Sequence, residues 1–209
     1  MVFRKNYMQK LNNQDEINHR NSLTELPHIK DLSAFVRRIR NELPANYLVP
    51  NFDPCDGGIN AKILFLFEKP GPMTDSKNGG SGFISRDNND RTAEATKDFL
   101  KMAGLERADT VLWNLIPMWN GIIKIKNNEI DVGIGYLKEL LEILKNVKVI
   151  VLVGRKSQSA KNRIKTIAIK IDREFNLIES YHPSPKVRST NIKLWNSIPD
   201  EWSKCKNYL

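Results

Sequence analysis

Glu68 and Lys69 stand side by side where the apolar run ILFLF gives way to Pro70-Gly71-Pro72. A carboxylate at such a point can orient a water, whereas an ammonium cannot accept a proton from one. Asn114 closes the apolar stretch TVLWN, and its amide presents a donor and an acceptor together. A buried run has few reasons to hold an asparagine, because an unpaired amide is costly there. His182 opens HPSP, where it can donate to a developing anion while Pro183 and Pro185 stiffen the loop. Ser184 in the same motif is placed to bond a phosphate. Phe83, after a glycine-rich stretch, offers a flat apolar wall. Each has a plainer reading too: a salt-bridged pair at a turn, a strand-end asparagine bonded to backbone, a packed histidine, a phenylalanine anchored in the core.

The elements that must carry these residues follow from periodicity. LSAFVRRIRNEL, Leu32 to Leu43, has helical apolar spacing and ends before Pro44. Residues 44 to 60 read as a loop, and Ala61 to Phe67 as a buried strand. The stretch from Gly71 to Asp90 has no periodicity, and a loop of that length is usually functional or disordered. Thr92 to Ala103 is an amphipathic helix with Gly104 as its cap, and Thr110 to Ile116 a strand stopped by Pro117. Val132 to Leu144 reads as a helix, and Val147 to Val153 as a buried strand ending in Gly154. A basic helix follows, then a short strand from Phe175 to Ser180 and a closing helix with Trp195 and Trp202.

Helices alternating with apolar strands predict an α/β fold, a three-layer α/β/α sandwich on a mostly parallel central sheet. Residues 1–27 read as a polar arm or helix, and 28–209 as a single domain. In such sheets ligands sit beyond the carboxyl ends of strands. Glu68, Asn114, Gly154 and His182 each fall at one such end, which predicts a single pocket.

The formal net charge is +9. GRKSQSAKNRIKTIAIK carries Arg155, Lys156, Lys161, Arg163, Lys165 and Lys170 with no acid, and HPSPKVRSTNIK adds Lys186, Arg188 and Lys193. A solvated helix face normally mixes signs, so this asymmetry favours a polyanion partner. No run is long enough to span a bilayer and the N-terminus lacks an apolar signal region, so the expectation is a cytoplasmic protein without membrane contact. Two distant cysteines and three scattered histidines suggest no metal, cluster or cofactor.

The order strand-xExPGx, GF, strand-N, strand-G and HPSP resembles the uracil-DNA glycosylase superfamily over roughly residues 60 to 195. Glu68-Lys69-Pro70-Gly71 is similar to that family's first motif, whose variants include GQDPYH, GEAPG and GMNPG. The resemblance implies that the turn, including Lys69, Pro70 and Gly71, lies against an extruded nucleotide. It implies that Glu68 is the acidic residue of the GEAPG type and that Phe83 stacks on the flipped base. Asn114 would read the pyrimidine edge, and His182 would stabilise the departing base anion. Ser184, Lys186, Arg188, Arg155 and Lys156 would hold the DNA backbone. The chain departs from the family in three places: Phe67 replaces a glycine, Lys69 stands where others have Asp, Asn or Ala, and Lys186 stands where an apolar wedge is common. Val187 is then the wedge, or strand insertion is weaker and single strands are preferred.

What the resemblance implies is a monofunctional DNA glycosylase of base-excision repair. It would act as a monomer on uracil or a related deaminated base in double- or single-stranded DNA. Alternatives are hypoxanthine or xanthine specificity, a catalytically inactive nucleic-acid binder of the same fold, a lyase using Lys69 as Schiff-base nucleophile, or a nucleoside hydrolase.

Overall fold

A computed structural model describes residues 10–209. Four apolar runs become the central sheet: β2 (Ile63–Phe67), β4 (Thr110–Asn114), β5 (Val149–Val153) and β6 (Asn176–Ser180), in the order β4-β2-β5-β6 with every pair parallel. Every side chain of β2, β4 and β5 is buried. That is why these strands read as continuous apolar runs rather than alternating ones. The edge strand β6 is only partly covered, and it accordingly mixes Asn176, Glu179 and Ser180 with Leu177 and Ile178. A second, two-residue pairing joins β1 (Asn51–Phe52) and β3 (Phe83–Ile84).

Helices cover both faces. On one lie α2 (Lys30–Glu42) and α4 (Asn127–Ile143), with Phe35 of α2 against Trp113 of β4 and Phe52 stacked on Trp113 at 3.9 Å. On the other lie α3 (Arg91–Met102) and α8 (Ile192–Ser203), where Trp202 packs on Phe65 and Phe99 and its Nε1 donates to Ser180 Oγ. The short α5 (Arg155–Ser159) and α6 (Lys161–Lys170) replace the single basic helix expected, and α7 (Pro185–Thr190) leads into α8. Among the described residues no helix is long and apolar enough to cross a membrane.

Three boundaries differ from the sequence reading in instructive ways. β4 stops at Asn114, two residues short, as the chain turns toward Pro117. α4 begins at Asn127, because the Glu129 carboxylate accepts the Lys126 amide and caps a first turn that has few apolar residues. The stretch 71–90 is ordered. A single turn at Pro72–Thr74 and the strand β3 bracket Asp75, which accepts from the Lys77 amide, Asn78 Nδ2 and Trp119 Nε1.

At the amino-terminal side, α1 (Gln14–Ser22) is capped by Asn13 and buries Arg20 completely. Arg20 Nη1 donates to both oxygens of Asp53 at 2.7 Å, and Nη2 to Asp87 at 2.9 Å. Arg107 bonds the same two aspartates and lies 2.8 Å from Asp56, which Arg86 also faces. Burial pushes the Asp56 carboxyl up to about 6, against the pull of Arg86 and Arg107.

Candidate active site

Because the four strands run parallel, their carboxyl ends share one edge, and the expected residues assemble there. Glu68 follows β2, Asn114 ends β4, Gly154 follows β5 and His182 lies two residues beyond β6. The β2–β4 ladder continues past its last pair: the Leu115 and Ile116 amides donate to Phe67 and Glu68 carbonyls. Side chains alternate along a strand, so the register partners Phe67 and Asn114 project from the same face as Phe65, toward α3 and α8.

Glu68 is half-buried, and its Oε1 accepts the Lys156 amide of α5 at 2.9 Å. It lies across Gly154, where a Cβ would stand 2.6 Å from that oxygen and where φ is 93°. Both space and backbone conformation therefore call for glycine at 154. α5 is pinned further by Ser157 Oγ donating to Leu66 O and by the Gly154 amide donating to Ser180 O.

Asn114 as a residue is only 5% exposed, and its side-chain amide makes no hydrogen bond to any of the described residues. His182 packs edge-on against Phe67, with ring centroids 5.8 Å apart. Its Nδ1 is buried and has no hydrogen-bond partner among the described residues. Burial lowers its pKa, against the opposing charges of Glu68 and Asp90. Burial thus favours the uncharged imidazole, which carries one N–H.

Asp90 was not singled out by sequence reasoning. It is the N-cap of α3, accepting the Thr92 and Ala93 amides, and its charge reaches His182. An aspartate just before an amphipathic run was the available signal for the cap; nothing local pointed to His182.

Two expected members are placed elsewhere. Phe83 is fully enclosed, with its strand paired to β1 and Ser81 and Asn88 bonded around its carbonyl. It presents no open face to a ring, and Phe67 is the aromatic set against His182. Lys69 pairs with neither a base pocket nor Glu68. Its side chain is 4% exposed, and Nζ donates to Glu129 Oε1 at 2.6 Å and Asn120 Oδ1 at 2.9 Å. Burial raises the Glu129 pKa, yet the Lys69 ammonium and the Lys126 amide outweigh it and hold the carboxyl below its usual range. Lys69→Met strands this carboxylate, and the expected loss of stability is about 3 kcal/mol. Lys69→Met/Glu129→Met should recover most of it in urea unfolding; a single mutant as stable as the wild type overturns the pairing.

Pro70 is buried, and the Gly71 carbonyl accepts from the Thr74 amide and hydroxyl, closing the turn. Ser184 caps α7 through the Val187 amide at 3.5 Å, which leaves its own O–H free to donate. Lys186 and Arg188 are exposed on α7, and Arg155 is exposed on α5 beside the half-buried Lys156. Among the described residues none of these four meets a carboxylate, although Arg188 lies over the Trp195 ring. The basic stripe is less free further along, where Lys161 pairs with Glu179 and Arg163 with Asp131.

A sequence-family model described as the Uracil DNA glycosylase superfamily matches residues 54–202. No curated protein matches the chain. Among solved structures, a uracil DNA glycosylase candidate from Methanosarcina acetivorans, studied by NMR, is 16% identical with a TM-score of 0.45, covering 70% of this chain and 92% of its own. The wild-type UNG crystal structure from Nitratifractor salsuginis is 13% identical with a TM-score of 0.46, covering 90% and 95%.

Proposed function

This chain belongs to the uracil DNA glycosylase superfamily, and from that premise we propose that it hydrolyses the N-glycosidic bond of uracil or a related deaminated base in DNA. The observation that carries the reading is the meeting, at one sheet edge, of Asn114, whose amide makes no hydrogen bond among the described residues, and His182, whose buried Nδ1 has no partner among them either. The amide complements the N3–H and O4 edge of uracil. His182 donates to O2 and stabilises the base as it leaves with the bonding electrons. Phe67 and the Pro70-Gly71 turn wall the base, and Glu68, with Oε2 uncommitted, orients the water that adds to the sugar. Ser184, Lys186, Arg188, Arg155 and Lys156 hold the flanking phosphates, acting from a monomer in the cytoplasm.

Lys69 supports no second chemistry. As an ammonium between Glu129 and Asn120 it has no lone pair for Schiff-base attack, which argues for a monofunctional enzyme. The same engagement weakens one motive for an inactive binder, the charge of Lys69, while the other, Phe67 in place of a glycine before Glu68, stands. The test is a panel of oligonucleotides with uracil, hypoxanthine or xanthine, single- and double-stranded. Abasic sites that break only with alkali are expected, foremost from uracil. Binding without base release at enzyme excess overturns hydrolysis, and salt-insensitive action on free nucleosides would redirect it to a nucleoside hydrolase.

A further inference from the structure

Ile122 and Ile123 are 47% and 78% exposed, side by side on the loop between β4 and α4. The loop is built to hold them out. Gly121, with φ of 78° and open space around it, makes the turn. Asn120 Oδ1 accepts both the Lys69 ammonium and the Ile122 amide, at 2.9 and 3.2 Å. Asn120 Nδ2 donates to Glu129 Oε1 at 3.1 Å, and the Lys126 amide to Glu129 Oε2 at 2.8 Å. Both ends of the loop thus close on one carboxylate, whose ion-pair partner is the residue next to Glu68. One residue before, Trp119 exchanges backbone bonds with Leu48 and donates from Nε1 to Asp75.

Exposed isoleucines on a tethered loop suit a surface that is apolar between anionic rails. Lys124 and Lys126 follow the pair, both exposed and, among the described residues, in no salt bridge, although the Lys126 charge reaches Glu129. Stacked bases between phosphates have that pattern. β-branched side chains are stiff, as a wedge requires. Of the two residues after HPSP, Lys186 is charged and Val187 is half-buried in α7, so neither offers an apolar side chain as exposed as that of Ile123.

We propose that Ile122 and Ile123 are the wedge that enters the base stack beside the extruded nucleotide, held in register with the pocket by the Lys69–Asn120–Glu129 link. The proposal rests on the DNA-glycosylase reading, so its test has a readout independent of catalysis. A duplex carrying 2-aminopurine next to the uracil reports unstacking by fluorescence, whether or not the base is released. Wild-type protein should brighten it, and Ile122→Ala/Ile123→Ala should not, while Ile123→Leu should. Base release from duplex should fall about 10- to 100-fold in the double variant, and from single strands by less than about threefold. A wild type that brightens the probe but frees no base sinks hydrolysis and leaves the wedge standing. Equal loss on both substrates, or brightening unchanged in the double variant, overturns the wedge. So does a double variant that instead loses self-association in sedimentation, or binding to phosphatidylserine vesicles.

Discussion

Asn114→Asp and His182→Ala should each, on the proposed reading, lower the rate of uracil release by about 100- to 1,000-fold, the usual cost of losing one donor aimed at a developing anion. In the first, a carboxylate would replace the amide donor proposed to face O4 and would repel the anionic base. In the second, the proton held for O2 is gone. Because both act on one leaving group, the double variant should be only slightly slower than either single. The pH profile gives an independent check. Burial lowers the His182 pKa below the ordinary value, so the neutral, competent form persists as pH falls through 6.5. The acid limb of kcat/KM assigned to His182 should therefore lie below 6.5 and vanish in His182→Gln. Stability has the same sign: the contribution of this group is complete above the unfolded value of 6.5 and is lost as pH falls toward the depressed one. Single-turnover rates unchanged in either variant sink the site assignment.

Arg20→Met should be the most damaging substitution outside the site, lowering unfolding free energy by about 3–5 kcal/mol. That is a large share of the roughly 5–15 kcal/mol that holds a domain together. Arg20 has no exposed surface and grips Asp53 by both oxygens, Asp87 by one and Glu16 through Nε. Without it Arg107 alone answers the two buried aspartates on that side, apart from the partly exposed Lys97. Arg20→Lys keeps the charge but loses the planar fork, and should fall between wild type and Met. Urea denaturation at pH 7 checks the order; Arg20→Met within about 1 kcal/mol of wild type removes the network from the list of stabilising features.

The sheet was readable because parallel strands buried on both faces are unbroken apolar runs ended by Pro, Gly or a lone polar residue. That made ILFLF, TVLWN and VIVLV visible, and the rule placing ligands at their carboxyl ends brought Glu68, Asn114, Gly154 and His182 together. What stayed hidden was pairing across long separations. The partner of Lys69 is 60 residues away, and nothing near Glu129 marks it as buried. Asp53, Asp56, Arg86, Asp87 and Arg107 look like ordinary loop residues until the fold gathers them. The burial of Phe83 stayed hidden for a related reason: a phenylalanine after glycines reads the same whether it faces a ligand or the interior, and its enclosure follows from the β1–β3 pairing.

The contact between Glu68 and the first turn of α5 has a metrical consequence. One hydrogen bond from the Lys156 amide joins the carboxylate that would orient water to the segment whose cations would grip a phosphate, and Gly154 leaves no slack between them. On the proposed reading this works as a ruler. The spacing between the water-orienting carboxylate and the root of the cationic turn is set by a backbone amide, and only the reach of the cations beyond it is left to side chains. A nucleotide bound one position out of frame would meet the water or the cations, but not both.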